Sequence, residues 1–462
     1  MDEIVCLSPI DGREVARRPI WSDTDLSAAL AAAERAQREW ARVPLAERVA
    51  AMLRFLEAIR ALNPEIVPEL ALQMGRPIRY NGELRSLEER VRHMAAIAGD
   101  ALAPVAPADT KAGFERFVRR EPLGLVLVIA PWNYPYLTAV NTIVPALIAG
   151  NAVILKHASQ TLLVGERFAE AMARAELPAG LFTNVVLSHQ QTAKLLASGA
   201  INHASFTGSV AGGQAIARAT AGTFTTLGLE LGGKDPAYVR ADANLEHAVE
   251  NLVDGAFYNS GQSCCGVERI YVHADLYDQF VERFVALTST YVLGNPLEQA
   301  TTLGPMAATR FADLVRSHTA EALASGARGH LDPAAFPMNQ DGTAYLAPQV
   351  LTNVDHSMRV MVEESFGPVV GIMAVKNDAE AVQLMNDSAY GLTASIWSTD
   401  LAATRALAER VEAGTVYMNR CDYLDPGLAW TGVKDSGRGA SLSAIGYEML
   451  TRPKSYHLRH EI

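Results

Sequence analysis

Cysteine is scarce in this 462-residue chain: Cys6, Cys264, Cys265 and Cys421 have neither a disulfide-framework pattern nor metal-ligand spacing. Any role for them must be packing or catalysis. Positive charge is also short, with 40 Lys and Arg against 51 Asp and Glu and both signs scattered along a formal charge of −11. That balance excludes a nucleic-acid or anionic-membrane footprint. Long apolar runs are missing too, because the most apolar stretches, 123–130 and 143–149, are cut by Pro131, Pro145 and Gly150 well below the span of a bilayer. The opening MDEIVCLSPIDGREV has no basic segment leading into an apolar one, so a cytoplasmic location is expected. No GxGxxG fingerprint occurs, so any dinucleotide must be held another way.

What is present reads as a globular α/β protein, with 49% hydrophobic and 20% charged residues, long enough for two or more domains. Residues 25–62 carry apolar positions at helical spacing, with Asp23 or Thr24 placed to cap them, and 80–102 read similarly. Between 104 and 122 the prolines and the alternating FERFVRR predict an extended hairpin. From 123 onward short apolar runs alternate with helical stretches: LGLVLVIA, AVILK and NVVL, then DPAYV, ERIYV, VVGIMAV, ASIW and TVYMN. That rhythm implies βαβ units, largely parallel sheets and two α/β domains.

Four short segments bear chemistry. In SGQSCCGVER, Cys264 and Cys265 follow small polar residues where a helix should give way to a loop. A lone cysteine is more often buried and inert than catalytic, and only a thiolate attacks, so a nucleophile needs a partner that takes its proton. In LGLELGGKDP, Glu230 ends a strand between apolar leucines, where desolvation would raise its pKa toward that of a useful base; an ordinary carboxylate satisfied by backbone amides is an equal reading. In APWNYP, Asn133 sits on a stiff turn and could serve an oxyanion hole, although taken alone a local turn is the better account of it. Finally LKHAS ends a strand, and in SFTGSVAGG Gly208 and Ser209 open an Ala-rich helix whose free amides suit a pyrophosphate.

Taken in order, PWNYP, LKHAS, FTGS, LELGGK, GQSCCGVER, EESFGP and VKDSGRG resemble the aldehyde dehydrogenase superfamily, from about residue 9 to the C-terminus. The LKxASQT stretch is similar to that of bacterial succinate-semialdehyde dehydrogenases. The resemblance implies an α/β fold with a cofactor-binding domain (1–103 and 123–231), a catalytic domain (232–440) and a small β oligomerisation module (104–122 and 441–462). A homodimer or homotetramer would follow. It places the nucleophile on Cys264, the general base on Glu230 and the oxyanion amide on Asn133. NAD or NADP would be held by Trp132, Lys156, Ser159, Gly208, Ser209, Glu364 and Phe366, with no metal. The reaction implied is oxidation of an aldehyde to a carboxylic acid, released by water because Glu230 is present.

Three departures from the family pattern bear on the site. His157 follows the lysine where many relatives have proline. Ser159 stands where strict NAD users commonly carry an acid, which opens the site to NADP. Ser441 falls where many members have glutamate. Candidate pocket-lining positions are Tyr134, Tyr136, Tyr258, Arg420, Cys421 and Tyr423, and Arg420 is a candidate partner for a substrate carboxylate. A catalytically silent binding protein and a cysteine-dependent esterase are the competing readings.

Overall fold

Strands buried on both faces have no use for polar alternation, and the runs LVLVI (Leu125–Ile129) and AVILK (Ala152–Lys156) are buried at every position. The computed structural model describes residues 2–462 and sets these two strands at the middle of a six-stranded sheet. Its order is Gly437–Arg438, Thr226–Glu230, His203–Thr207, Leu125–Ile129, Ala152–Lys156, Phe182–Asn184. All neighbours pair in parallel except Gly437–Arg438, which runs antiparallel along Thr226–Glu230. The chain steps outward from Leu125–Ile129 to Phe182–Asn184 and then returns to the other side with His203–Thr207. Strand order therefore reverses between Leu125–Ile129 and His203–Thr207, and the crevice beyond their carboxyl ends is the place where open α/β sheets take ligands.

A seven-stranded sheet follows: Arg328–Gly329, Gln349–Thr352, Val369–Val375, Val267–His273, Asp235–Val239, Thr393–Trp397, Thr415–Met418. It is parallel apart from its two-residue edge strand at Arg328–Gly329. Helices Asp23–Trp40, Leu45–Met74, Leu84–Ala101 and Pro135–Ala149 pack with the first sheet in one large core. Pro135–Ala149 is buried along its whole length, as an all-round apolar helix must be.

Four details differ from the sequence expectation. Ser22, not Asp23 or Thr24, caps the first helix, because its hydroxyl accepts from the Asp25 N–H. The NVVL strand falls earlier, at Phe182–Asn184. A further short hairpin, Glu3–Leu7 with Glu14–Pro19, was not anticipated. The 104–122 segment is no self-contained hairpin: Phe114–Pro122 pairs antiparallel with the C-terminal strand Thr451–Arg459, and 104–113 contributes only an isolated bridge from Val105 to Val118. Stacking of Phe117 on Tyr456, with centroids 4.5 Å apart, outweighs any local turn. Among the described residues no helix is long and apolar enough to cross a membrane.

Candidate active site

The cysteine loop begins where helix Leu245–Phe257 ends. Asn259, Ser260 and Gly261 all take positive φ, at 53°, 58° and 68°, and so reverse the chain tightly. At Gly261 only glycine is possible, since a Cβ would come within 2.3 Å of the Gly367 carbonyl oxygen. Gln262 locks the turn, its amide donating to the Asn259 carbonyl (3.1 Å) while its Oε1 accepts the Ala307 N–H (2.8 Å). Cys264 emerges half-buried. Cys265 is buried, and its thiol donates to Asp422 Oδ1 at 3.0 Å. The bond to Cys264 and burial hold the Cys265 thiol well above the ordinary range, so it makes a poor nucleophile. Burial does the same to Cys421 and lifts Cys6 to about 11.

Glu230 closes strand Thr226–Glu230, and both its oxygens are occupied by neutral donors. Thr207 Oγ1 donates to one at 2.9 Å and Ser441 Oγ to the other at 2.5 Å. Burial raises its pKa, and those two bonds with the charge of Arg90 restrain the rise.

Asn133 is buried, and its Nδ2 donates to the Gln262 carbonyl at 3.1 Å, which uses one of its two N–H groups and sets it against the cysteine loop. Behind it lies a buried ion pair absent from the sequence reading. Arg76 Nη1 meets Glu83 Oε1 at 2.5 Å, Arg76 Nη2 donates to the Asn133 carbonyl and Nε to Asn259 Oδ1. The other Glu83 oxygen accepts the N–H groups of Tyr136 and Leu137, capping helix Pro135–Ala149. Sequence could not flag this pair, because charges beside helical stretches ordinarily face solvent.

Cys264 and Glu230 open onto one cavity of about 440 Å³, walled by Tyr134, Tyr258, Tyr423 and Trp430. Three other expected wall positions are elsewhere. Tyr136 is buried against Phe168, Cys421 bonds to the Asn251 carbonyl, and Arg420 is exposed and stacked on the Tyr423 ring. Arg420 therefore cannot be the pocket's cation; Arg85 and Arg90 line it instead.

The seven cofactor candidates fall into two groups. Lys156, Ser159, Gly208 and Ser209 lie at the carboxyl ends of the six-stranded sheet. Lys156 is buried with no hydrogen-bond partner in the protein, and Ser159 is exposed on a short turn of helix. Ser209 caps helix Val210–Ala219, and the Gly208 N–H donates to the Glu230 carbonyl. His157 joins these parts: Nδ1 accepts the Ala158 N–H, so the ring donates from Nε2 to the Pro135 carbonyl, and burial keeps it neutral with a pKa near 4.

Trp132, Glu364 and Phe366 form the second group. Trp132 stacks on Phe311 (4.9 Å) and meets Phe366 edge-on (5.6 Å). Glu364 accepts the Gly233 N–H at 3.0 Å, and burial with the nearby charge of Glu268 pushes its pKa to about 8. A Cβ at Gly233 would lie 2.5 Å from the Cys264 carbonyl oxygen, which is why glycine is needed there. Glu268 anchors the loop by accepting from Lys234 and from the N–H groups of Ser365 and Phe366. Both residues sit inside LELGGK and GQSCCGVER, yet nothing in those motifs alone said they would pair.

A strand-order reversal beside a thiol and a desolvated carboxyl in one cavity is the frame of an α/β enzyme's site. Comparison narrows the class: the model of the aldehyde dehydrogenase family matches residues 1–456, and the chain belongs to that family. It is thus an NAD(P)-dependent enzyme of the kind that oxidises aldehydes to acids. Geranial dehydrogenase of Castellaniella defragrans is 34% identical over 446 residues, 95% of this chain and 92% of that one. A succinate-semialdehyde dehydrogenase [NADP(+)] of Mycobacterium avium is 32% identical across 98% of this chain and 96% of its own length. The crystal structure of an NAD-dependent aldehyde dehydrogenase from Sinorhizobium meliloti shares a TM-score of 0.94 at 32% identity, over 99% of this chain and 92% of that one.

Removing the charge of Glu83 should leave Arg76 buried and unpaired. Glu83→Gln is expected to lower unfolding free energy by about 3–5 kcal/mol, read from urea titration. A loss below about 1 kcal/mol would mean that the ion pair is dispensable.

Proposed function

We propose that the chain oxidises its aldehyde through a covalent thioester on Cys264 and releases the acid by hydrolysis with Glu230 as base. The observation that carries this reading is the shared cavity of Cys264 and Glu230, in which Cys264 is the more exposed thiol while Cys265 is buried and bonded to Asp422.

The Cys264 thiolate adds to the carbonyl carbon and forms a thiohemiacetal. Its oxyanion is met by the Asn133 amide and the Cys264 backbone N–H, donors already fixed by the bond to the Gln262 carbonyl. NAD(P), when bound, supplies the acceptor for the hydride that leaves this carbon. Glu230 then takes a proton from a water whose oxygen attacks the thioester. The carbon–sulfur bond breaks, the acid departs and the proton returns to the thiol. A base buried to a raised pKa and held by hydroxyls rather than by a cation keeps the basicity this step needs.

The dinucleotide fits the residues present. Lys156 offers an ammonium without a protein partner, Gly208 and Ser209 open a ten-residue helix toward the crevice, and Glu364 presents a carboxyl suited to a ribose hydroxyl. Trp132 and Phe366 border the same region. Exposed Ser159 places no carboxylate beside the adenosine ribose, which supports use of NADP as well as NAD, and the mycobacterial relative carries NADP in its name. The ribbon of Phe114–Pro122 with Thr451–Arg459 has outer edges that a second copy of the chain would pair, which supports a homo-oligomer.

Cys264→Ala should abolish formation of reduced nicotinamide with every aldehyde, whereas Cys265→Ala should retain most of it. Full turnover by the first variant would remove the nucleophile assignment, and ester cleavage without nicotinamide reduction would favour an esterase. Glu230→Gln should give a burst of reduced nicotinamide and then accumulate thioester visible by mass spectrometry. Ser441→Ala removes a bond that favours the ionised carboxylate, so the acid limb of the kcat profile should move to higher pH; an unmoved limb would dissociate Glu230 from that limb. Ser159→Glu should lower the NADP-to-NAD ratio of kcat/KM by about tenfold or more through like-charge repulsion, and an unchanged ratio would place the 2′-phosphate elsewhere.

A further inference from the structure

Three arginines are buried among the described residues: Arg76, Arg90 and Arg269. Arg76 has the Glu83 carboxylate, the Asn133 carbonyl and the Asn259 amide oxygen. Arg269 is ringed by the carbonyls of Lys234, Leu384, Met385 and Asp387. Arg90 is different. Though only 6% exposed, it uses one nitrogen, Nη1, on the Leu137 carbonyl (2.8 Å) and Asn141 Oδ1 (3.0 Å). Its Nε is buried without a partner, as is Nδ2 of the Asn141 it touches. It forms no ion pair, and a guanidinium cannot shed its proton to escape the cost of burial.

Arg90 and Asn141 both line the cavity that holds Cys264 and Glu230. The cavity's carboxyls are engaged or weakened. Glu83 belongs to Arg76, and Asp422 accepts from Ser263 and Cys265. Glu230 is held by two hydroxyls, and burial lifts Asp254 to about 6. Arg85, exposed on the same helix and also lining the cavity, forms no ion pair either. Arg76, which also lines the cavity, is spent on Glu83, so Arg85 and Arg90 are its cations without an ion pair, and Arg90 and Asn141 each bring an unmet donor. A neutral aldehyde would leave those donors unmet, whereas a carboxylate accepts only and matches the planar fork of an arginine.

We propose that Arg90, backed by Asn141 and with Arg85 nearer solvent, forms a carboxylate subsite, and that the aldehyde oxidised by Cys264 carries a carboxylate at its far end. This rests on the reading of Cys264 as nucleophile. Arg90 shares one cavity with Cys264 and Glu230, and the charges of Glu230 and Glu83 act on it there.

The test compares succinate semialdehyde with its methyl ester, which differ in the charge and one methyl group. Wild type should favour the acid in kcat/KM by about tenfold or more, the size of a charge-assisted bond, and Arg90→Met should erase that preference. No preference in wild type, or equal losses on acid and ester in the variant, overturns the proposal, the second result assigning Arg90 to the thiolate instead. A second measurement needs neither the variant nor turnover: succinate should slow alkylation of Cys264 by iodoacetamide in wild type, and succinamide should not. Equal protection by both overturns the subsite. Absence of nicotinamide reduction with any aldehyde overturns the oxidation itself, while the alkylation result still reads the subsite.

Discussion

The ion pair of Arg76 and Glu83 is the constraint around which the catalytic parts are arranged. Two charges removed from water cost several kcal/mol each, and mutual attraction repays that only if their remaining hydrogen-bonding capacity is also filled. Here the filling groups are the functional loops themselves. Glu83 closes the N-terminus of the helix after PWNYP, where a negative charge also meets the helix dipole. Arg76 holds the Asn133 carbonyl and the Asn259 side chain, one within PWNYP and one at the start of the cysteine turn. A shift in either loop would orphan a buried donor or acceptor, so the pair makes their relative placement all-or-none.

Two glutamates, Glu268 buried and Glu230 half-buried, show how the same side chain is set to different work. Glu268 accepts from an ammonium and two backbone N–H groups, and so fastens the loop of Ser365 and Phe366 to the second sheet. Glu230 accepts only from hydroxyls, which steady the carboxylate without the strong stabilisation of a cation in contact. The difference in donors separates a structural anchor from a group able to take up a proton.

Much of this was legible in the sequence, for identifiable reasons. Strands such as LVLVI and AVILK are short apolar runs closed by turn residues, and that pattern survives any tertiary context. The thiol, the carboxyl and the amide each stand in a distinctive local segment, so their candidacy could be read residue by residue. The family resemblance joined 104–122 to the C-terminal strand, but local alternation read 104–122 itself as a hairpin, because alternation cannot distinguish a hairpin from a pair over three hundred residues apart. Arg420 was misjudged for a related reason: proximity to TVYMN in the chain does not fix the direction of a long side chain, and stacking on Tyr423 turned it outward. Arg76, Glu83 and Arg90 were invisible because a charge in or beside a helical stretch looks like surface until a second layer covers it.

The clamp on Glu230 draws one hydroxyl from Thr207 and the other from Ser441, and the strand beside it is Gly437–Arg438. Translation delivers chain from the N-terminus, and folding of α/β units begins before the last residues leave the ribosome. Cys264, Asn133 and the first hydroxyl all precede Ser441 and leave the ribosome before it. Until that serine emerges, the carboxyl has a single hydroxyl and one open sheet edge. The clamp is thus the last of these parts to be completed, and a chain cut short before Ser441 would carry Cys264 and Glu230 with only one of the two hydroxyls that steady the carboxyl.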